Sequence, residues 1–365
     1  MQRTSGAPAA ASRLLAELFA ADPAPALSMA AARISGLVWA DALGRANLEL
    51  DVAATPEHRF RLGSVSKVLT STAAARLVSR GVLDLDAPIF RYLPDLPEHH
   101  RATTLRQLLT HRGGIRHYGP KDFDLFGPGG AVYMRTYPTM REVLALFIDD
   151  PLVAAPGTAV AYSSYGYTLA SIAMEAAAGT EFRELIEAEI GRHFGLASLA
   201  EDDPWAVQPQ RATGYMNQAD LSLLYGQLPE EARPTPRGGY AHMPFSNPAY
   251  CRAGAGFLMT PADTARFGAA MFDSADAKIT AAERELLFTP NTEASPGSPS
   301  LGLGWRLDAD DRGRRRWHHA GATPGGRVVL VVYPDLDLSL ALAGNVMAMM
   351  LDGMKTASDL ADIFA

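Results

Sequence analysis

The sequence has a single cysteine, Cys251, among 365 residues. One cysteine excludes an intrachain disulfide and a metal site built from several cysteines. Lysine is almost as scarce, since the 33 basic residues include only Lys67, Lys121, Lys278 and Lys355. A buried lysine amine can lose its proton whereas an arginine guanidinium effectively cannot, so each of these few lysines deserves separate examination.

The sequence also lacks long apolar runs and any excess of basic residues. No apolar stretch reaches the roughly 18–20 residues that a membrane span requires, and a net charge of −7 gives no basic field for binding nucleic acid. The Ala-rich N-terminal segment is interrupted by Arg13, Glu17 and Asp22, where a signal peptide would carry its apolar stretch. We therefore expect a soluble cytoplasmic protein that binds neither membranes nor nucleic acid, and the sequence leaves its oligomeric state open.

Motifs for several metal and cofactor classes are missing as well. There is no H-E-x-x-H motif, and neither His99-His100 nor His318-His319 has the spacing of metal ligands on a helix. The absence of a Gly-Lys dipeptide excludes a P-loop, and the absence of G-x-S-x-G excludes an α/β-hydrolase nucleophile elbow. The sequence predicts neither a metal nor a cofactor.

Strand-like patterns lie at both ends of the chain, with helical patterns between them. Predicted strands cover 26–34, 36–42, about 47–53, 302–309, 314–321, 327–334 and 338–344; predicted helices cover 12–21, 64–80, 104–110, 139–149, 165–178, 181–194, 261–273 and 355–364; loops are predicted over 203–250. Gly81 and Thr260 are expected to cap helices. We predict an α/β fold of the α+β kind, in which one antiparallel sheet built from both termini is flanked by helices and carries an inserted, mainly helical domain. The predicted domains are 1–63 with 251–365, and 64–250, with the active site between them.

The first chemical signal is an S-x-x-K pattern, Ser64 to Lys67, at the start of a predicted helix. Ser64 fits the structural role of an N-cap, but the position three residues later usually holds Glu or Gln, and the helix dipole disfavours a cation there. The helix is apolar or small on nearly every side, which indicates burial. A lysine three residues after a serine lies on the same helical face. These patterns alone leave a nucleophile–base pair and a snorkelling lysine about equally open.

Two further segments carry weaker signals. Tyr162 follows a short extended run and precedes a helix that starts near Ser164, and residues 318–326 place His-Ala-Gly at the end of a predicted strand. Taken alone, the first is more often a loop aromatic with a serine cap, and the second a strand end followed by a turn.

The three segments together have the order and spacing of the serine β-lactamase-like superfamily. The chain resembles the class C branch from about residue 25 to about 345, with support from 81–97, 105–118, 161–175, 253–271 and 301–305. That branch includes class C β-lactamases, D-alanyl-D-alanine carboxypeptidases, D-aminopeptidases and family VIII carboxylesterases.

The resemblance implies roles for the residues that match the family's motifs. Ser64 is the expected acylated nucleophile, Lys67 its activating partner, and Tyr162 a general base or proton relay. The N–H groups of Ser64 and Ala322 are the expected oxyanion hole. His319 and Gly321 match the third motif, as substrate-binding residues.

Further substrate-binding residues follow from the same resemblance, and two departures from it favour the esterase branch. Trp305 and Tyr118 are expected to line the substrate cleft. Ser164 stands where β-lactamases carry Asn, and a hydroxyl offers one donor where the amide offers two. His319 stands where they carry Lys, and an imidazole is a weaker anchor for a substrate carboxylate. Both changes weaken recognition of β-lactams and of D-Ala-D-Ala while leaving acyl transfer intact.

The sequence therefore predicts a carboxylesterase that takes a small-molecule ester with a short acyl chain. The alternatives are a class C-type β-lactamase, a D-amino-acid peptidase or an acyltransferase, which share these motifs. A non-enzymatic alternative is a catalytically weak relative that serves as an assembling or structural protein. The identity of the natural ester is not indicated.

Overall fold

The computed structural model describes residues 6–22, 24–124, 127, 130–226, 228–236, 238–272, 278–293, 298–349 and 351–365. The strands are β1 Ala26–Arg33, β2 Gly36–Asn47, β3 Val52–Ala53, β4 Phe60–Arg61, β5 Ala200–Glu201, β6 Tyr215–Met216, β7 Ala241–His242, β8 Phe257–Met259, β9 Ser300–Leu301, β10 Arg306–Ala309, β11 Arg315–Thr323, β12 Gly326–Tyr333 and β13 Leu338–Gly344. The α-helices are α1 Ala7–Ala21, α2 Ser66–Ser79, α3 Glu98–Arg101, α4 Leu105–Leu109, α5 Ser164–Ala178, α6 Phe182–Ile186, α7 Gln218–Tyr225, α8 Arg252–Ala255, α9 Pro261–Ala269, α10 Ala281–Phe288 and α11 Gly353–Phe364. A π-helix, Glu187–Arg192, directly follows α6.

One large sheet is built from both ends of the chain. Its eight strands have the order β3-β2-β1-β13-β12-β11-β10-β9, and every neighbouring pair is antiparallel. The first and last long strands meet at its centre, where Leu27 lies opposite Gly344. The predicted antiparallel sheet, flanked by helices, is confirmed.

Helices cover both faces of this sheet. On one face α1 and α11 pack over an apolar cluster that includes Leu15, Trp39 and Leu360. On the other face α9 packs so closely that a Cβ added at Gly268 would lie 2.2 Å from Ser339 Oγ. Because both faces are covered, β12 and β13 bury nearly every residue, which explains why their sequences are almost continuously apolar.

Helix α2 begins where the sheet meets the helical layer. It packs against α5, α8 and α10 and buries nearly all of its residues, as its small and apolar sequence predicts. A turn of 3₁₀-helix, Gly63–Val65, precedes it and packs against β11. The start of α2 is therefore placed beside one strand of the large sheet.

Several predicted elements differ in extent from those observed. Loops are predicted over 203–250, but this segment contains α7, because Asn217 Oδ1 accepts the Asp220 N–H at 3.0 Å and so caps the helix. The helix predicted over 139–149 is a 3₁₀-helix, Met140–Leu146, and the strand predicted near 47–53 is confined to β3. The helix predicted over 261–273 ends at Ala269, and residue 273 lies outside the described residues.

The predicted helix caps are confirmed. Gly81 follows α2 with a φ of +73°, and Thr260 Oγ1 accepts the Asp263 N–H at 3.1 Å. Among the helices that the structure describes, none is long and apolar enough to cross a membrane.

Candidate active site

Ser64 lies in the tight turn between β4 and α2. Gly63 has a φ of +49°, and a Cβ there would lie 2.8 Å from the Ala322 nitrogen, so this position requires glycine. Helix α2 begins at Ser66, and the Ser64 side chain accepts no capping hydrogen bond from the helix. The structural interpretation of Ser64 as an N-cap is wrong, and its hydroxyl is available for chemistry.

Lys67 lies one helical turn after Ser64 and is fully buried. Its Nζ donates to Ser64 Oγ at 3.1 Å, to Ser164 Oγ at 3.0 Å and to the Gly254 carbonyl at 2.9 Å. The three donors of an ammonium group thus find three acceptors, which offsets the loss of hydration on burial. This lysine does not snorkel to solvent, and the structure favours its pairing with Ser64.

The phenol of Tyr162 is the second group on Ser64. The phenolic oxygen lies 2.8 Å from Ser64 Oγ, and Lys67 Nζ lies 4.9 Å from the centre of the ring. Burial alone would raise the pKa of this phenol, but the Lys67 charge and the hydrogen bond to Ser64 outweigh burial and place the pKa below its ordinary value of 10. The structure therefore places a phenol of lowered pKa against the Ser64 hydroxyl.

The backbone of the turn that carries Ser64 lies directly against that of Gly321 and Ala322 in β11. A Cβ at Gly321 would lie 2.8 Å from the Ser64 nitrogen and 2.0 Å from the Leu62 carbonyl oxygen, so β11 packs directly on the turn. The same approach brings the Ala322 nitrogen next to Gly63. Ser64 and Ala322 are the pair expected to form the oxyanion hole, a site whose donors typically contribute about 10²–10³ in rate.

His319 is buried on the sheet side of the site. Its Nδ1–H donates to the Ala320 carbonyl at 2.8 Å, which leaves Nε2 as the acceptor nitrogen of a neutral ring. Burial, and then the charges of Arg306 and Lys67, hold the pKa of His319 well below its ordinary value. The ring therefore carries no positive charge at neutral pH.

Trp305 and Tyr118, both expected to line the cleft, are placed differently from each other. Trp305 lines the cavity beside Tyr162, although its indole is fully buried and packs between Phe267 and Phe288. Tyr118 packs edge-on against Tyr165 with its hydroxyl buried, and it is not among the lining residues of that cavity. A role of either residue in substrate binding stays a prediction.

A cavity of about 370 Å³ opens beside the Tyr162 ring, where Val160, His319 and Arg306 contribute to its lining. Arg306, at the start of β10, is half-buried, and within the described part of the chain its guanidinium forms no hydrogen bond or ion pair. A larger groove of about 700 Å³ is lined by none of these residues. The smaller cavity is therefore the one that adjoins the residues around Ser64.

Sequence reasoning missed three contributors to the site. Gly254 supplies the carbonyl that binds Lys67, Arg306 borders the cavity, and the ring of His111 lies 4.2 Å from that of Tyr162. Gly254 and His111 belong to segments that support the family resemblance, yet neither carries a motif of its own. The sequence gives no signal that the arginine at the start of this strand has no ion-pair partner in the described part of the chain.

Residues 12–362 match the Beta-lactamase family. The chain belongs to this family. Its fold is that of the β-lactamase-like superfamily, and the structure brings together Ser64, Lys67 and Tyr162, the three residues to which the resemblance assigns the reaction.

Relatives within this family have diverse names. The mitochondrial serine beta-lactamase-like protein LACTB of Homo sapiens is 26% identical, over 82% of this chain and 66% of its own length. Esterase EstB of Burkholderia gladioli is 29% identical, over 48% of this chain and 48% of its own length. The chain thus spans about half to two thirds of these two relatives.

Solved structures show the same fold. The D-amino acid amidase from Ochrobactrum anthropi SV3, complexed with L-phenylalanine, superposes with a TM-score of 0.78 at 22% identity, covering 97% of both chains. A D-stereospecific amidohydrolase from Streptomyces sp. superposes with a TM-score of 0.76 at 23% identity, again over 97% of both chains. At these identities the likeness establishes the fold and leaves the substrate open.

Proposed function

We propose that this chain is a carboxylesterase of the class C branch, similar to family VIII, that hydrolyses short-acyl esters through an acyl-enzyme on Ser64. The observation that carries the proposal is the hydrogen bond of 2.8 Å between Ser64 and Tyr162, whose phenolate is stabilised by Lys67. A serine hydroxyl becomes a strong nucleophile only when a neighbouring base accepts its proton.

The acylation step follows from this geometry. The Ser64 proton passes to the Tyr162 phenolate while Oγ bonds to the ester carbonyl carbon, and the N–H groups of Ser64 and Ala322 stabilise the oxyanion. The tetrahedral intermediate collapses, the bond to the alcohol oxygen breaks, and Tyr162 returns its proton to the departing alkoxide. Lys67 Nζ, which lies 3.1 Å from Ser64 Oγ, stays beside the reacting oxygens throughout.

Deacylation repeats the sequence with water. A water molecule gives its proton to Tyr162 and attacks the acyl carbon, and Ser64 Oγ leaves with the proton that Tyr162 returns. The acid is released and the enzyme is regenerated.

The preference for esters is supported by the two residues that depart from the β-lactamase pattern. His319 is neutral and cannot form an ion pair with a substrate carboxylate. The Ser164 hydroxyl oxygen accepts a hydrogen bond from Lys67. This side chain therefore contacts the lysine beside Ser64, whereas the amide of an asparagine here would bind the acylamide group of a peptide or β-lactam.

One observation favours a second candidate, a hydrolase of amides or peptides that end in a carboxylate, such as those of D-amino acids. Arg306 borders the same cavity as Tyr162 and His319, and it has no acidic partner among the described residues. An arginine binds a carboxylate through paired, charge-assisted hydrogen bonds. A substrate carboxylate would supply the partner that Arg306 lacks.

The deciding experiment compares kcat/KM on p-nitrophenyl butyrate, a chromogenic cephalosporin and a D-alanyl-D-alanine peptide, for wild type and Ser64→Ala. Ser66→Ala is the matched control, because Ser66 is a buried serine of the same helix start whose Oγ contacts no polar partner. We expect ester hydrolysis to dominate, to vanish in Ser64→Ala and to persist in Ser66→Ala. Faster turnover of the cephalosporin or peptide than of the ester, or turnover of none of the three, would overturn the esterase proposal.

A further inference from the structure

His111 occupies a strained position directly after α4. Its φ is +57°, in the left-handed region where a helix usually ends on glycine. The backbone closes the helix in the usual way, since the Arg112 N–H donates to the Gln107 carbonyl at 2.6 Å. A side chain in this conformation carries a conformational penalty that glycine would avoid. The contacts of the imidazole ring must therefore offset that penalty.

Three contacts of His111 converge on the residues around Tyr162. Its carbonyl accepts the Ala161 N–H at 2.7 Å, and its Nδ1 accepts the Ser163 N–H at 3.2 Å. Its ring lies 4.2 Å from the Tyr162 ring, centre to centre. His111 thus binds the backbone on both sides of Tyr162 and packs against the side chain between them.

Tyr162 has little other backbone support. It lies in an irregular segment that ends where α5 begins, so neither a strand ladder nor helical hydrogen bonds fix its position. The Tyr162–Ser64 distance therefore depends on side-chain and loop contacts. The ring of His117 lies 5.3 Å from the Tyr162 ring, and the ring of His111 lies closer, at 4.2 Å.

We propose that His111 is a positioning residue that holds the phenolic oxygen of Tyr162 against Ser64. The inference rests on the proposed acyl transfer, in which Tyr162 is the base. Because Nδ1 accepts a hydrogen bond, the ring proton resides on Nε2 and the imidazole acts as a neutral clamp. Burial, and then the charges of Lys67 and Arg306, lower the pKa of His111 well below its ordinary value, which maintains that neutral form.

Two variants separate the ring from the backbone. His111→Gly relaxes the left-handed position and removes the ring, so the fold is expected to persist while the clamp is lost. His111→Asn tolerates the same φ and keeps an oxygen that can accept the Ser163 N–H. Gln210→Gly is the matched control, because Gln210 is another non-glycine residue with a positive φ, +58°, on an exposed loop.

Three readouts test the clamp, and two need no known substrate. The first is the kcat and KM of the ester reaction. The second is the rate at which a fluorophosphonate labels Ser64. The third is the ionisation of Tyr162, followed as the ultraviolet difference between each protein and the same protein carrying Tyr162→Phe.

We expect His111→Gly to lower kcat and the labelling rate by about 10²-fold, the usual effect of a displacement near 1 Å, with KM changed less than threefold. The Tyr162 pKa should rise, because the phenol moves away from Lys67 while it remains buried. His111→Asn should recover part of each loss, and Gln210→Gly should resemble wild type.

The outcomes distinguish this inference from the proposed function. If wild type turns over no ester, the esterase proposal fails, yet labelling and Tyr162 ionisation still test the clamp. Labelling and ionisation within twofold of wild type in a folded His111→Gly protein would overturn the inference. Equal losses in Gln210→Gly would also overturn it, since they would show a general effect of backbone relaxation.

Discussion

The reaction centre and the cavity wall beside it differ in how fully their charged groups are paired. Lys67 directs its three donors to three protein acceptors and is inaccessible to solvent. Arg306, on the cavity wall, has no such partner in the described part of the chain. Catalytic groups gain from being held in place before substrate arrives, whereas a recognition group can leave its donors for the ligand. The groups around Lys67 are therefore arranged before a substrate binds, whereas Arg306 is expected to gain its partner only from the substrate.

The largest expected effect comes from substituting the two side chains that contact Ser64. Tyr162→Phe and Lys67→Ala should each lower kcat/KM by roughly 10²–10⁴-fold or more, because the proton of Ser64 loses its acceptor or the phenolate loses its stabilising charge. Steady-state kinetics on p-nitrophenyl butyrate, with circular dichroism to verify folding, measures the change.

Tyr167→Phe is the control for this pair. The Tyr167 ring also lies near Lys67, 5.4 Å from Nζ, but its hydroxyl binds the Leu109 carbonyl and does not contact Ser64. It should keep turnover within a few-fold of wild type. Near-wild-type rates in Tyr162→Phe would contradict the assigned base.

The next effect concerns the oxyanion donors. In Gly321→Ala the new Cβ would meet the Leu62 carbonyl and the Ser64 nitrogen, so β11 must move away from the turn. We expect a loss of about 10²–10³-fold in kcat. Gly119→Ala is the control, since nothing lies nearer than 4.0 Å to a Cβ there. Equal activity in the two variants would show that the donors lie elsewhere.

A smaller and more selective effect is expected from substituting Arg306 on the cavity wall. Arg306→Ala should raise KM about 10–100-fold for an ester or amide that bears a carboxylate, the equivalent of the 1.5–3 kcal/mol of a charge-assisted hydrogen bond. Neutral esters should be unaffected. Arg315→Ala, an exposed arginine of β11, should leave both unchanged. An equally large increase in KM for neutral esters would contradict a role of Arg306 in binding a substrate carboxylate.

The smallest effect is on stability and follows from the buried neutral histidines, among them His111 and His319. Burial lowers the pKa of His111 and of His319 well below 6.5. Below pH 6.5 the unfolded chain therefore binds protons that the folded chain does not, and the unfolding free energy falls as the pH drops. One such group contributes up to about 1.4 kcal/mol per pH unit. Urea unfolding between pH 8 and pH 5 measures the slope.

His319→Gln should make that slope shallower, because one of these buried groups no longer titrates on unfolding. Identical slopes for His319→Gln and wild type would contradict the neutral state assigned to the ring.

The sequence predicted best what depends on short spacings. Ser64 and Lys67 are three positions apart, and a helix places such residues on one face whatever surrounds it. The strands β12 and β13 are equally evident, because near-continuous apolar runs are expected where both faces of a sheet are covered.

What escaped prediction depends on contacts between distant parts of the chain. Two of the acceptors of Lys67, Ser164 and Gly254, lie 97 and 187 residues away along the chain. No local sequence pattern predicts contacts between residues so far apart. Trp305 shows the same difficulty, since a motif tells that an aromatic residue is present but not whether its ring faces core or cavity. Helix α7 was missed because its capping residues stand in a segment with little apolar periodicity.

The position of β1 between β2 and β13 also bears on how the enzyme is made. The Ala26 N–H donates to Asn345 Oδ1, across 319 residues of chain, and β11 reaches the centre of the sheet only through β12 and β13. A growing polypeptide carries Ser64, Lys67 and Tyr162 long before these strands exist. Pairings of such long sequence separation form slowly, so the residues around Ser64 can reach their final arrangement only after the C-terminal strands have been synthesised and have closed the sheet.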